Sequence, residues 1–131
     1  MRIIKTLFLS LVFAALFAGC GSSTTPGEVA KDFTNDMYEG DGEALVKYIY
    51  MPDTIKDSDK ELVNGKLKAG AAKAKEQADA RGGVKSIEII DEKIEGDNAK
   101  VRLKITFNDD SSKEDGGPLK KIDNEWKMSL K

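Results

Sequence analysis

The apolar residues change their spacing at Gly82-Gly83, and that change constrains the fold more than any other feature of the chain. After the glycine pair they alternate. Ile87 and Ile89 alternate with Ser86 and Glu88, and Ala99, Val101, Leu103, Ile105 and Phe107 alternate with Lys100, Arg102, Lys104 and Thr106. A period of two sends successive side chains to opposite faces of a strand. The second run therefore predicts a strand with one buried face and one basic, solvated face. Glu95-Gly96-Asp97-Asn98 reads as the turn between these two strands, Asn108-Asp109-Asp110-Ser111 as the next turn, and Pro118 to Ile122 as a third strand. Asp123-Asn124 predicts a tight hairpin, because Asn tolerates positive φ, leading into a last strand with Trp126, Met128 and Leu130 in phase.

Before the glycine pair the period is helical. Thr25-Pro26-Gly27-Glu28 predicts a helix start: Thr25 caps, Pro26 fits the first position where no N–H is needed, and Glu28 completes a capping box. Val29, Phe33 and Met37 follow on one face, and Gly40 ends the helix. Asp41 reads as the cap of a second helix with Leu45, Tyr48 and Ile49 on one side, stopped by Pro52. Ser58-Asp59-Lys60-Glu61 predicts another capping box, opening a long third helix with an inner stripe of Val63, Leu67, Ala71, Ala74 and Ala78. Lys66, Lys68, Lys73 and Lys75 lie on its flanks. They read as a solvated face that could also orient the domain over an anionic membrane.

Three helices and then a four-stranded antiparallel meander predict an α+β fold. The segment Thr25-Pro26-Gly27-Glu28-Val29-Ala30-Lys31-Asp32-Phe33, followed by Gly40-Asp41-Gly42-Glu43-Ala44-Leu45, resembles the opening of the DUF4878 lipoproteins, a branch of the NTF2-like (cystatin-like) superfamily. The pair of strands around Glu95-Gly96-Asp97-Asn98-Ala99-Lys100-Val101 and the closing Ile122-Asp123-Asn124-Glu125-Trp126-Lys127-Met128 are similar too. The resemblance implies a domain over residues 26–131 in which three N-terminal helices pack on a curved sheet. That sheet wraps round the helices as a cone enclosing a cavity. The resemblance adds no chemistry, because the family has no assigned activity.

The N-terminus carries an address. Arg2 and Lys5 precede an uncharged stretch from Thr6 to Ala18, and Gly19-Cys20-Gly21-Ser22-Ser23 follows. Leu7 to Ala18 is shorter than the roughly 20 apolar residues that a membrane crossing needs, and has signal-peptide length. The ending Phe17-Ala18-Gly19-Cys20 resembles the lipobox of bacterial lipoproteins, which implies cleavage before Cys20 and lipid attachment to it. Residues 1–19 are then the signal peptide and residues 20–25 a lipidated cysteine with a short tether, about 12 Å long on average. The expected location is the bacterial cell envelope, and the outer membrane where there is one, since Gly21 rather than Asp follows the cysteine. Arg2 and Lys5 leave with the signal, so 19 basic side chains face 23 acidic ones. That balance excludes a nucleic-acid binder, which shows a basic excess.

The inventory of reactive groups is thin. The chain has no histidine and one cysteine, which removes the commonest general base, the commonest neutral metal ligand and any intrachain disulfide. No cofactor and no metal site are expected, and Asp57-Ser58-Asp59 and Asp109-Asp110 read as caps and turns. Enzymes of this superfamily use a cavity carboxylate, often with a tyrosine. Asp32 and Asp36, with Tyr38, Tyr48 and Tyr50, are the candidates, weighed against a solvated helix flank. Phe33, Met37, Tyr48, Phe107 and Trp126 read first as core and second as the lining of a small apolar pocket. The expectation is thus a lipid-anchored, non-catalytic module, a monomer or weak dimer, that binds a small apolar ligand or a protein partner. The alternatives are an envelope interaction protein of exclusion or immunity type, and a weak isomerase- or dehydratase-type enzyme.

Overall fold

Thr25 begins the first helix by the chemistry its sequence predicts. In the computed structural model, which describes residues 25–129, the Glu28 N–H donates to Thr25 Oγ1 at 3.1 Å and the Thr25 N–H donates to Glu28 Oε2 at 3.3 Å. Helix α1 runs over Pro26–Tyr38. Its buried face is wider than the Val29–Phe33–Met37 stripe, taking in Ala30, Thr34 and Tyr38, because the helix lies between the sheet and the other helices. The buried Thr34 hydroxyl is satisfied by donating to the Ala30 carbonyl at 2.8 Å. Gly40 ends the helix with φ +82°, the left-handed conformation that glycine adopts freely.

Asp41 caps the next helix through its bond from the Ala44 N–H at 3.2 Å. This helix, α2, is only Gly42–Leu45, continued by a 3₁₀ turn over Val46–Tyr48. It stops before Pro52 because Ile49 turns extended and bridges Met128, and the Tyr50 N–H donates to the Met128 carbonyl at 2.9 Å. Helix α3 runs over Asp57–Ala80. Its cap position is Lys56, with no side-chain bond, so Ser58 falls inside the first turn and the capping box expected there does not form. Asp57 and Asp59 favour that end through the helix dipole instead. The buried stripe of Leu67, Ala71, Ala74 and Ala78 is as expected, with Val63 half-buried.

Four strands follow: β1 (Val84–Glu95), β2 (Asn98–Phe107), β3 (Ser112–Ile122) and β4 (Glu125–Met128). They form an antiparallel meander in the order β1-β2-β3-β4. Asp123 and Asn124 both take positive φ, as a two-residue hairpin turn requires. β2 alternates as predicted, with Ala99, Val101, Leu103, Ile105 and Phe107 buried and the lysines and arginine between them exposed. β3 begins six residues earlier than Pro118, because its polar first half earns its place by backbone pairing to β2 rather than by burial.

The cone implied by the resemblance is corrected here. The sheet is open, its edges β1 and β4 are not joined, and it does not curl round the helices. β4 is four residues long, too short to wrap, and the last eight residues of β1 are exposed. The space between α1 and the sheet is filled by side chains: Phe107, Leu103, Ile105, Val101 and Leu119 are at most 1% exposed. A second cluster of Phe33, Leu45, Ile49, Leu67 and Ala71 lies between the helices, and Met37, Tyr48 and Met128 touch both.

Trp126 belongs to the sheet-side cluster and is 7% exposed. Replacing it with Ala removes that burial and leaves a cavity, at a cost of about 3–5 kcal/mol. Trp126→Phe should recover most of the loss in urea denaturation. Wild-type midpoints for both variants would show that Trp126 contributes no packing.

Candidate functional site

A groove of about 580 Å³ opens where three elements meet: the outer flank of α1, the last turns of α3 and the first residues of β1. Its position follows from local sequence. Ala78 keeps the α3 face low, and Gly83, at φ +94°, turns the chain directly from the helix into β1. The Gly83 N–H donates to the Ala78 carbonyl at 2.7 Å, and Asn108 ties this corner to the β2–β3 turn through the carbonyls of Gly82 and Gly83 at 2.7 and 2.9 Å. The floor is apolar, made of Tyr38, Ala78, Val84 and Ile87. Lys31, Lys75 and Lys85 and Asp32, Glu39 and Asp79 line the groove with both signs of charge. Lys75 pairs with Asp79 at 3.0 Å along the helix, and Lys85 with Asp110 at 3.4 Å. Exposed pairs of this kind contribute under about 1 kcal/mol, so a ligand that offers better partners displaces them cheaply.

One turn further along α1 from Asp32, the Tyr48 hydroxyl donates to Asp36 Oδ2 at 2.9 Å. The Tyr48 ring stands edge-on to Phe33 with centroids 6.0 Å apart, and the Lys47 ammonium lies 5.0 Å from its centre. Burial first, then the Asp36 bond and the negative charges of Asp36 and Asp32, push the phenol up to about 12. Tyr48 is therefore a neutral donor across the physiological range, and Asp36 its acceptor.

Of the five residues expected as possible acids and bases, Asp36 and Tyr48 are brought together, and Asp32 and Tyr38 line the groove. Tyr50 stands apart, its ring 5.6 Å from the Lys120 ammonium. Of the five large residues expected as core or pocket lining, Phe33, Phe107 and Trp126 are buried, and Met37 and Tyr48 are half-buried. None of the five lines this groove. Cys20, the expected signal peptide over residues 1–19 and the expected tether up to Thr24 lie outside the described residues. Among the described residues no helix is long and apolar enough to cross a membrane, and no group of three acidic residues is placed to hold a metal ion. Asp109 closes a turn by accepting from the Ser111 N–H at 2.9 Å. Lys31, Glu39, Lys75, Asp79 and Lys85 come from separate elements, so nothing in the residues themselves marks them for a shared site. The glycine pair that brings β1 back beside α3 was the available signal.

The sequence profile of the domain of unknown function DUF4878 matches residues 18–129. The chain belongs to the DUF4878 family. A crystal structure from Campylobacter jejuni, described as a "Putative NTF2-like transpeptidase", is 34% identical and superposes with a TM-score of 0.78, covering 82% of this chain and 100% of that one. The fold of this DUF4878 domain is therefore NTF2-like, in an open form. No curated protein matches the chain. The likeness to a protein named for an enzyme overturns the expectation of a chain without catalytic activity.

The raised Tyr48 gives a pH prediction. The folded state holds this proton above the pH at which the unfolded phenol releases it. Its contribution to stability is thus fully present below about pH 10 and is lost as pH rises towards about 12. Absorbance titration should show Tyr48 ionising late, and Tyr48→Phe should remove that phase together with the corresponding loss of stability. A late phase that persists in Tyr48→Phe would assign the raised phenol elsewhere.

Proposed function

We propose that the DUF4878 domain is a small-molecule-binding domain of enzyme-like fold, whose groove beside α1 takes a short peptide carrying both a free amine and a carboxylate. The single observation that carries this reading is the lining: three lysines and three acids over an apolar floor of Tyr38, Ala78, Val84 and Ile87. A peptide matches such a surface in two ways. Its termini meet side chains of opposite sign, and its side chains cover the floor, while orientation comes from the few polar groups. The name of the Campylobacter jejuni protein supports peptides as the substrate class and peptide chemistry as the activity. Lipid on Cys20 would hold the domain at the envelope membrane, where the tether keeps the groove within reach of the surface.

The test is calorimetric titration of the domain with a dipeptide, set beside the same dipeptide acetylated at its amine and amidated at its carboxylate. The free dipeptide should bind more tightly. Asp32→Lys and Lys85→Glu, both at exposed positions, should each weaken binding about tenfold, the loss of one charge-assisted contact. Melting temperatures should not change. Equal affinity for the blocked and free peptides, or wild-type affinity in both variants, would sink the proposal.

A further inference from the structure

β1 is an edge of the sheet, and from Glu88 to Glu95 every residue of it is exposed. Three isoleucines lie in this stretch: Ile89, Ile90 and Ile94 are 41, 42 and 52% exposed. Edge strands are ordinarily guarded by charges and bulges. β1 has both, and their arrangement matches a second copy of the same strand.

The bulge sets the faces. The pairing of β1 to β2 shifts between Ile89 and Asp91, which leaves Ile90 as the extra residue. Because of that shift, Ile87 and Ile89 before the bulge and Glu92 and Ile94 after it all oppose buried residues of β2 and share the helix-covered face. Glu88, Asp91 and Lys93 oppose Lys104, Arg102 and Lys100 on the other face. In an antiparallel pair of β1 strands with a two-fold axis between Ile90 and Asp91, Ile87 meets the partner's Ile94 and Glu88 meets the partner's Lys93. Both residues of each pair then lie on one face. A strand without the bulge cannot do this in the same register, because an odd offset sets opposite faces against each other. The charges select the register too. One step either way sets Glu88 against the partner's Glu92, or Asp91 against the partner's Asp91.

We propose that β1 pairs antiparallel with β1 of a second copy of this chain, joining two sheets into one of eight strands. A two-fold axis normal to the sheet keeps both helix layers on the same side. The Gly27 N–H donates to Glu92 Oε2 at 2.6 Å, so α1 starts at the residue next to the axis but one. Both α1 helices therefore start close together on one face, an arrangement open to two chains held in one membrane. That last point rests on the Cys20 anchor proposed above; the pairing does not. A lipid surface is the poorer occupant, since Glu88, Asp91, Glu92 and Glu95 outnumber Lys93 in the exposed stretch from Glu88 to Glu95 and would meet anionic head groups.

The experiment is sedimentation of the full chain in detergent, below one protein per micelle, for wild type, Glu88→Lys, Lys93→Glu and the double swap. Both positions are exposed, and within the sheet Glu88 opposes Lys104 and Lys93 opposes Lys100, so circular-dichroism melts at concentrations where all are monomeric should be cooperative for all four, with Glu88→Lys slightly the least stable. Each single reversal turns two attractive pairs into repulsive ones and should raise the dimer dissociation constant about tenfold. The double swap should restore it to within about twofold of wild type. A wild type that stays monomeric at every concentration would overturn the proposal. A dimer indifferent to the single reversals, or a double variant no tighter than the singles, would overturn it equally. So would vesicle binding of wild type that is lost in Ile94→Lys while the protein remains monomeric.

Discussion

Tyr38 and Phe107 meet edge to face with ring centroids 5.6 Å apart, and this contact joins the last turn of α1 to the last residue of β2. Both rings are almost fully buried. Pairs of this geometry contribute about 0.5–1.5 kcal/mol beyond the area they cover. What depends on them is larger than that figure, because three other features converge at the same corner. Arg81, at the end of α3, places its guanidinium 5.0 Å from the centre of the Phe107 ring. Asn108, next in the chain, holds the Gly82 and Gly83 carbonyls and so fixes where β1 begins. Tyr38 itself is part of the groove floor. The helix layer, the sheet and the candidate site are positioned by one aromatic pair.

The same packing limits where the proposed ligand can bind. A cone would place the site between the helices and the sheet, where Phe107, Leu103 and Ile105 sit. In this chain α1 is close enough to β2 for those side chains to fill the space, and the short β4 leaves the sheet open. Gly27 shows how near the layers come: a Cβ there would lie 2.8 Å from Ile89 Cδ1. With the interior occupied by packing, the groove on the flank of α1 is a surface concavity, where charged residues line an apolar floor and set the chemistry.

Much of this was readable from residue types. Thr25 with Glu28, the alternation from Ala99 to Phe107, and Asp123-Asn124 each specify their local structure through short-range chemistry, and each forms as read. The misreadings share a cause in long-range pairing. Ile49 leaves the helical pattern to bridge Met128, and the polar segment before Pro118 becomes strand because β2 offers it a ladder. The bulge at Ile90 shifts the expected alternation of β1, and Ile89, Ile90 and Ile94 all stay exposed. The groove was illegible for a related reason: Lys31, Lys75 and Lys85 come from three elements, and only the tertiary fold makes them neighbours.

With the interior packed, the proposed peptide should engage the flank of α1 rather than the space between the helices and the sheet. Chemical-shift mapping of the isotope-labelled domain during titration with a free dipeptide tests this directly. Progressive shifts confined to the amides of Lys31, Asp32, Asp79, Val84 and Lys85 are the predicted result. Shifts centred instead on Phe33, Met37, Leu103 and Trp126, with the flank unmoved, would contradict it and place the site inside.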